Sequence, residues 1–143
     1  MYVTAVLLPV FVQVALTFAV LIRLGMKRLS AIRGGAVVRE RVIIDETGWP
    51  LDVRQASNCF RNQFEVPVLF YVLAILALIT RQAGDVFVVL AWLFVLSRVV
   101  HAVVHVTSND VRWRFGAFAF GVLVLLAMWV LFALAILLAP ALP

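Results

Sequence analysis

The sequence predicts an all-α integral membrane protein, a four-helix bundle, and three observations carry that prediction. Hydrophobic residues fill 66% of the 143 positions and charged residues only 13%, with a mean hydropathy of +1.14, a balance far from that of a soluble domain. The apolar residues gather into four stretches, about 2–22, 54–80, 86–106 and 115–139, each of roughly 20 residues or more and so able to cross ~30 Å of hydrocarbon as helix. Within each stretch the hydrophobicity is continuous, where a barrel strand would alternate. A single membrane domain is therefore expected over residues 1–143, with residues 23–53 as its long polar loop.

The first stretch has no basic lead-in and no small-residue cleavage site, and Arg23, Lys27 and Arg28 follow it directly. It reads as a retained helix and not as a signal peptide. Gln13 and Thr17 stand at i, i+4 within it, a polar pair suited to face another helix. Seven basic residues, Arg23, Lys27, Arg28, Arg33, Arg39, Arg41 and Arg54, lie before the apolar part of the second stretch, and Arg112 and Arg114 lie between the third and fourth. By the positive-inside rule both loops are cytoplasmic and both termini face out. Attraction to anionic headgroups accounts for such loops without a nucleic-acid partner. In the first loop, Val37–Ile44 reads equally as a short strand or a surface helix, and Gly34-Gly35 and Thr47-Gly48-Trp49-Pro50 mark turns.

The second helix is expected to start with Asp52 as N-cap and Gln55 three residues on, close to a capping box. It then places Asn58, Arg61, Asn62 and Glu65 at i, i+3, i+4 and i+7, one polar face at the mouth of an apolar run. Pro67 should bend the helix just beyond Glu65. Such a face is either a functional site or a polar helix end at headgroup level. Cys59, the single cysteine, excludes an internal disulfide and reads as an apolar packer.

Gly84-Asp85 forms the opposite turn and opens the third helix, which carries a second polar face of Arg98, His101 and His105. The turn cluster Thr107–Asp110 leads to Arg112 and Arg114. The last helix is almost wholly apolar, with Ala117 and Gly121 as a small-xxx-small pair for close packing.

The short turn makes helices two and three antiparallel neighbours. Glu65 lies 16 residues before Arg81 and Arg98 lies 13 after Asp85, or ~24 and ~20 Å from the same side at ~1.5 Å per residue. A buried Glu65–Arg98 ion pair is therefore expected. The same count sets Asn62 near His101, and Asn58 and Arg61 near His105. The result is a cationic, amide-rich pocket suited to an anionic small molecule with an apolar partner. Two histidines at i, i+4 could hold zinc, but no HExxH is present and the neighbouring arginines repel a dication, so no metal is expected.

Asn-x-x-Glu with a proline close behind it (Asn62, Glu65, Pro67), Arg-x-x-His-x-x-x-His (Arg98, His101, His105), a basic pair before the last helix and the four-span layout together resemble a bacterial-type member of MAPEG, the membrane-associated proteins in eicosanoid and glutathione metabolism. The resemblance covers essentially the whole chain. It implies a homotrimer in a bacterial inner membrane, with glutathione as cosubstrate bound between subunits and a lipophilic small molecule arriving from the membrane lipids. It also implies that Arg114 or Arg112 stabilises the glutathione thiolate, that Arg61, Asn62 and Glu65 bind the tripeptide, and that Arg98 pairs with the glutamate. Two positions depart from the family pattern. Asn58 stands where catalytic members often carry arginine, and His105 where a tyrosine is expected. The function so implied is a glutathione-dependent transferase or peroxidase. Its alternative is a non-catalytic membrane protein that binds lipid or a larger membrane complex, and a small proton-coupled exporter ranks last.

Overall fold

A computed structural model describes residues 3–138, apart from the side chains of residues 39 and 40. The expected outermost span residues, Tyr2 and Ala139, lie outside the described residues. The chain forms α1 (Val3–Arg33), α2 (Arg39–Val42), a single 3₁₀ turn at Glu46–Gly48, α3 (Leu51–Arg61), α4 (Val66–Ile79), α5 (Asp85–Val106) and α6 (Val111–Leu137). No strand occurs among the described residues. Four segments are long and apolar enough to cross a membrane: α1, α3 with α4, α5, and α6.

α1 runs 31 residues, well past the expected end of its apolar stretch. It continues because its basic end is amphipathic. Leu24 and Ala31 are buried against Val53 and Ala56 of α3, with Val37 and Trp49 packed on the same cluster. Burying that apolar stripe favours helix over loop. Much of the expected polar loop is therefore helix, and its remainder folds as α2 and the tight turn at Gly48. A Cβ on Gly48 would collide with Val42 and with the Val38 carbonyl. At this turn the Thr47 hydroxyl and amide both donate to Asp45 and hold its carboxyl below the usual range.

The second span is interrupted, not merely bent. α3 ends at Arg61 and α4 begins at Val66, with Pro67 in the first turn of α4. There its missing N–H costs nothing, whereas in a continuous helix its ring would strike the Gln63 carbonyl. Glu65 thus lies beyond the helix that carries Asn58 and Arg61, and the four polar residues do not share one helical face. Nor does Asp52 cap α3, which starts at Leu51 without a side-chain cap. Asp52 instead pairs with Lys27 at 2.8 Å, and Gln55 donates to the His105 carbonyl. Together with Arg23, which donates to the Val106 carbonyl at 2.7 Å, Gln55 closes the otherwise open C-terminus of α5.

A buried amide pair joins α1 to the interruption. Gln13 donates to Gln63 at 3.1 Å, and Gln63 donates to the Cys59 carbonyl at 3.2 Å. Cys59 is fully buried, as expected of a packer. The main core lies toward the other end, where Phe70 of α4 meets Phe94 of α5 with ring centroids 4.9 Å apart. α5 and α6 share the most extensive interface. At its centre Gly121 is pressed so closely on Ser97 that a Cβ would collide with the serine hydroxyl.

Candidate functional site

The interruption, the last turns of α5 and the first turns of α6 enclose a cavity of about 440 Å³ at the basic end of the bundle, within the range of small-molecule sites. Asn58, Arg61, Asn62 and Glu65 line it from the second span. His101 and His105 line it from α5, and Arg114, Phe115 and Phe118 from α6. Seven of the sequence-expected residues thus converge: the four from the second span, the two histidines and Arg114.

Two others do not. Arg112 stands two residues before Arg114, and α6 is already helical at Val111, so the two guanidinium groups leave the helix on nearly opposite sides. Asp110 starts the helix four residues earlier than the apolar stretch does, its carboxylate accepting from the Arg112 and Trp113 amides at 2.8 and 3.3 Å. Arg114 points into the cavity, tied at 2.6 Å to Asn109 Oδ1. Arg112 lines a different hollow.

Arg98 lies outside the cavity lining, 1% exposed, with its guanidinium 5.7 Å from the ring centre of Phe118. The expected Glu65–Arg98 ion pair is not formed within the chain. Glu65 is exposed, and Arg98 Nη2 donates instead to the Asn62 carbonyl at 3.0 Å. The break accounts for the difference: it turns Glu65 outward and frees a backbone oxygen that a continuous helix would have used. Arg98 Nε and Nη1 have no hydrogen-bond partner among the described residues.

His101 Nδ1 lies 3.0 Å from the Arg114 carbonyl. A carbonyl only accepts, so Nδ1 carries the hydrogen; Nε2 is an acceptor when the ring is neutral and a second donor when it is protonated. That Nε2 and His105 Nδ1 are buried without hydrogen-bond partners among the described residues, and the two rings meet edge to face at 5.6 Å. Among the described residues no three of His, Cys, Asp and Glu come together as a metal ligand set. The lining presents Arg61 and Arg114 against one acid, Glu65, and so favours a ligand of net negative charge that also carries hydrogen-bond donors.

Glu46 borders this site through Arg61, although the sequence reading passed over it. One of its oxygens accepts from Ser57 at 2.7 Å and lies 3.0 Å from Arg61 and 3.7 Å from Arg28. Its only signal was to be an acid in a strongly basic loop. Arg61 consequently stands between the His101 cavity and a more polar one of about 720 Å³ that Arg28, Glu46 and Arg54 help to line.

The sequence pattern of the MAPEG family matches residues 6–134. No curated protein and no solved structure matches the chain at a significant level. With that match over most of its length and four helices able to span a bilayer, the chain belongs to the MAPEG family and is an integral membrane protein.

Proposed function

We propose that this protein is a glutathione-dependent transferase or peroxidase acting on a lipophilic substrate, assembled as a homotrimer with its basic end in the cytoplasm. One observation carries the reading: Arg114, Arg61, the amides of Asn58 and Asn62, and two buried, unpartnered histidine nitrogens share one cavity. Arg114 is the thiolate-stabilising residue, because its charge is permanent and Asn109 fixes its direction. The thiolate is the reactive form of the thiol. Arg61 and the amides suit the tripeptide's carboxylates, Glu65 its ammonium group, and His101 Nε2 a ligand N–H. Transfer forms a carbon–sulfur bond between the thiolate and an electrophilic carbon of the lipophilic partner, while the bond from that carbon to its leaving group breaks, the leaving group departing with the electron pair and the thiol proton passing to solvent. Peroxidase turnover reduces a lipid hydroperoxide to alcohol and water while two glutathiones become the disulfide.

The test is calorimetric titration of the detergent-purified protein with glutathione, comparing wild type, Arg114→Ala and Arg112→Ala. Saturable binding that survives Arg112→Ala and is lost in Arg114→Ala is the expected result. No binding at millimolar glutathione in folded wild type overturns the reading. A second reading, a non-catalytic member that holds lipid, is favoured by the engagement of Arg61 with Glu46, which occupies a cation that the tripeptide would need.

A further inference from the structure

α5 and α6 also enclose an apolar groove of about 730 Å³, none of whose lining residues is shared with the His101 cavity. Leu96 and Val100 of α5 form one wall, Gly116 and Phe120 of α6 the other, and Arg112 and Trp113 stand at the polar end. The groove is open at Gly116, where a Cβ would meet nothing within 4 Å. From Trp113 to Phe120 the helix rises ~10 Å, about two-thirds of one leaflet of the hydrocarbon layer.

Charge says what fits. Arg112 is exposed, and its guanidinium is in none of the ion pairs formed among the described residues. The nearest acid in sequence, Asp110, is committed to the helix amides. A free guanidinium over an apolar groove matches a phosphate joined to an acyl chain, since arginine donates two parallel N–H groups to phosphate oxygens. Trp113 is suited to the headgroup level beside it. A zwitterionic headgroup brings its own cation toward Arg112, whereas an anionic one does not.

We infer that this groove binds an anionic phospholipid, with the phosphate on Arg112 and one acyl chain lying over Gly116. The inference does not depend on the proposed enzymatic activity. It is tested by native mass spectrometry of the purified protein in neutral detergent, with phosphatidylglycerol or phosphatidylcholine added in turn. Wild type should retain phosphatidylglycerol about fivefold over phosphatidylcholine, the increment of one arginine at a membrane surface. Arg112→Gln should bring the two lipids to parity. Gly116→Leu, whose side chain enters open space, should lower retention of both. Equal retention of the two lipids by wild type, or retention unchanged in both variants, overturns the inference. So does a change in subunit number in Gly116→Leu, read from the same spectra, since the groove would then be a contact between copies.

Discussion

Arg98 and Asn62 meet across the interrupted second span, the guanidinium donating to the backbone carbonyl at 3.0 Å. In a continuous helix that oxygen would accept from the Val66 amide. Here a side chain from α5 takes the place of a backbone donor, so the break and the helix beside it stabilise each other.

Arg98→Ala is expected to lower stability by about 3 kcal/mol, through the orphaned carbonyl and the void left behind. Unfolding in mixed micelles measures it. Arg98→Lys should recover less than half of the loss, because one ammonium cannot both reach Asn62 and pack on Phe118 as the planar group does.

The Gln13–Gln63 pair predicts a non-additive series. Gln13→Leu or Gln63→Leu alone leaves a buried amide without its partner and should cost about 1–3 kcal/mol, whereas the double leucine variant should lose less than the sum of the two while staying below wild type, because the Cys59 carbonyl has lost its donor. A double-mutant cycle on thermal unfolding reads the coupling directly.

Gly121→Ala should destabilise the α5–α6 interface by about 1–3 kcal/mol, the usual range for overpacking. Ser97→Ala in the same chain removes the colliding hydroxyl and should restore most of the loss. If the two substitutions simply add, the close approach at Ser97 is not the cause.

Glu46→Gln removes the carboxylate that holds Arg61. On the proposed glutathione site, affinity should rise about threefold, in line with the modest worth of a partly exposed ion pair. A fall in affinity would instead mean that Glu46 positions Arg61 for the ligand.

The four spans were legible because continuous hydrophobicity over bilayer length has few other uses. The convergence of Asn62, His101 and His105 followed from helix spacing and antiparallel depth, whereas Arg114 was offered, together with Arg112, by the family resemblance. Local pattern failed where distant residues decided the outcome. Pro67 signalled a disturbance, but the full break at Asn62–Glu65 depends on Arg98 reaching the exposed Asn62 carbonyl and on Gln13 holding the Gln63 side chain that caps Cys59. The start of α6 was placed too late because its first turn is polar and is held by Asp110. That shift is also what separates Arg112 from Arg114. Glu46 reaches Arg61 from a turn whose position no periodicity encodes.

The shortness of α4 has one more consequence. Its 14 residues span ~21 Å of a hydrocarbon layer ~30 Å thick, so the break falls at bilayer depth. Non-helical backbone is tolerated there only when buried in protein or lining a water-filled cavity, and this one borders the His101 cavity. The cavity therefore lies alongside backbone that is about a third of the way into a layer of that thickness. On the proposed function, this is where the water-soluble thiol and the lipid-dissolved substrate meet, beside Arg114.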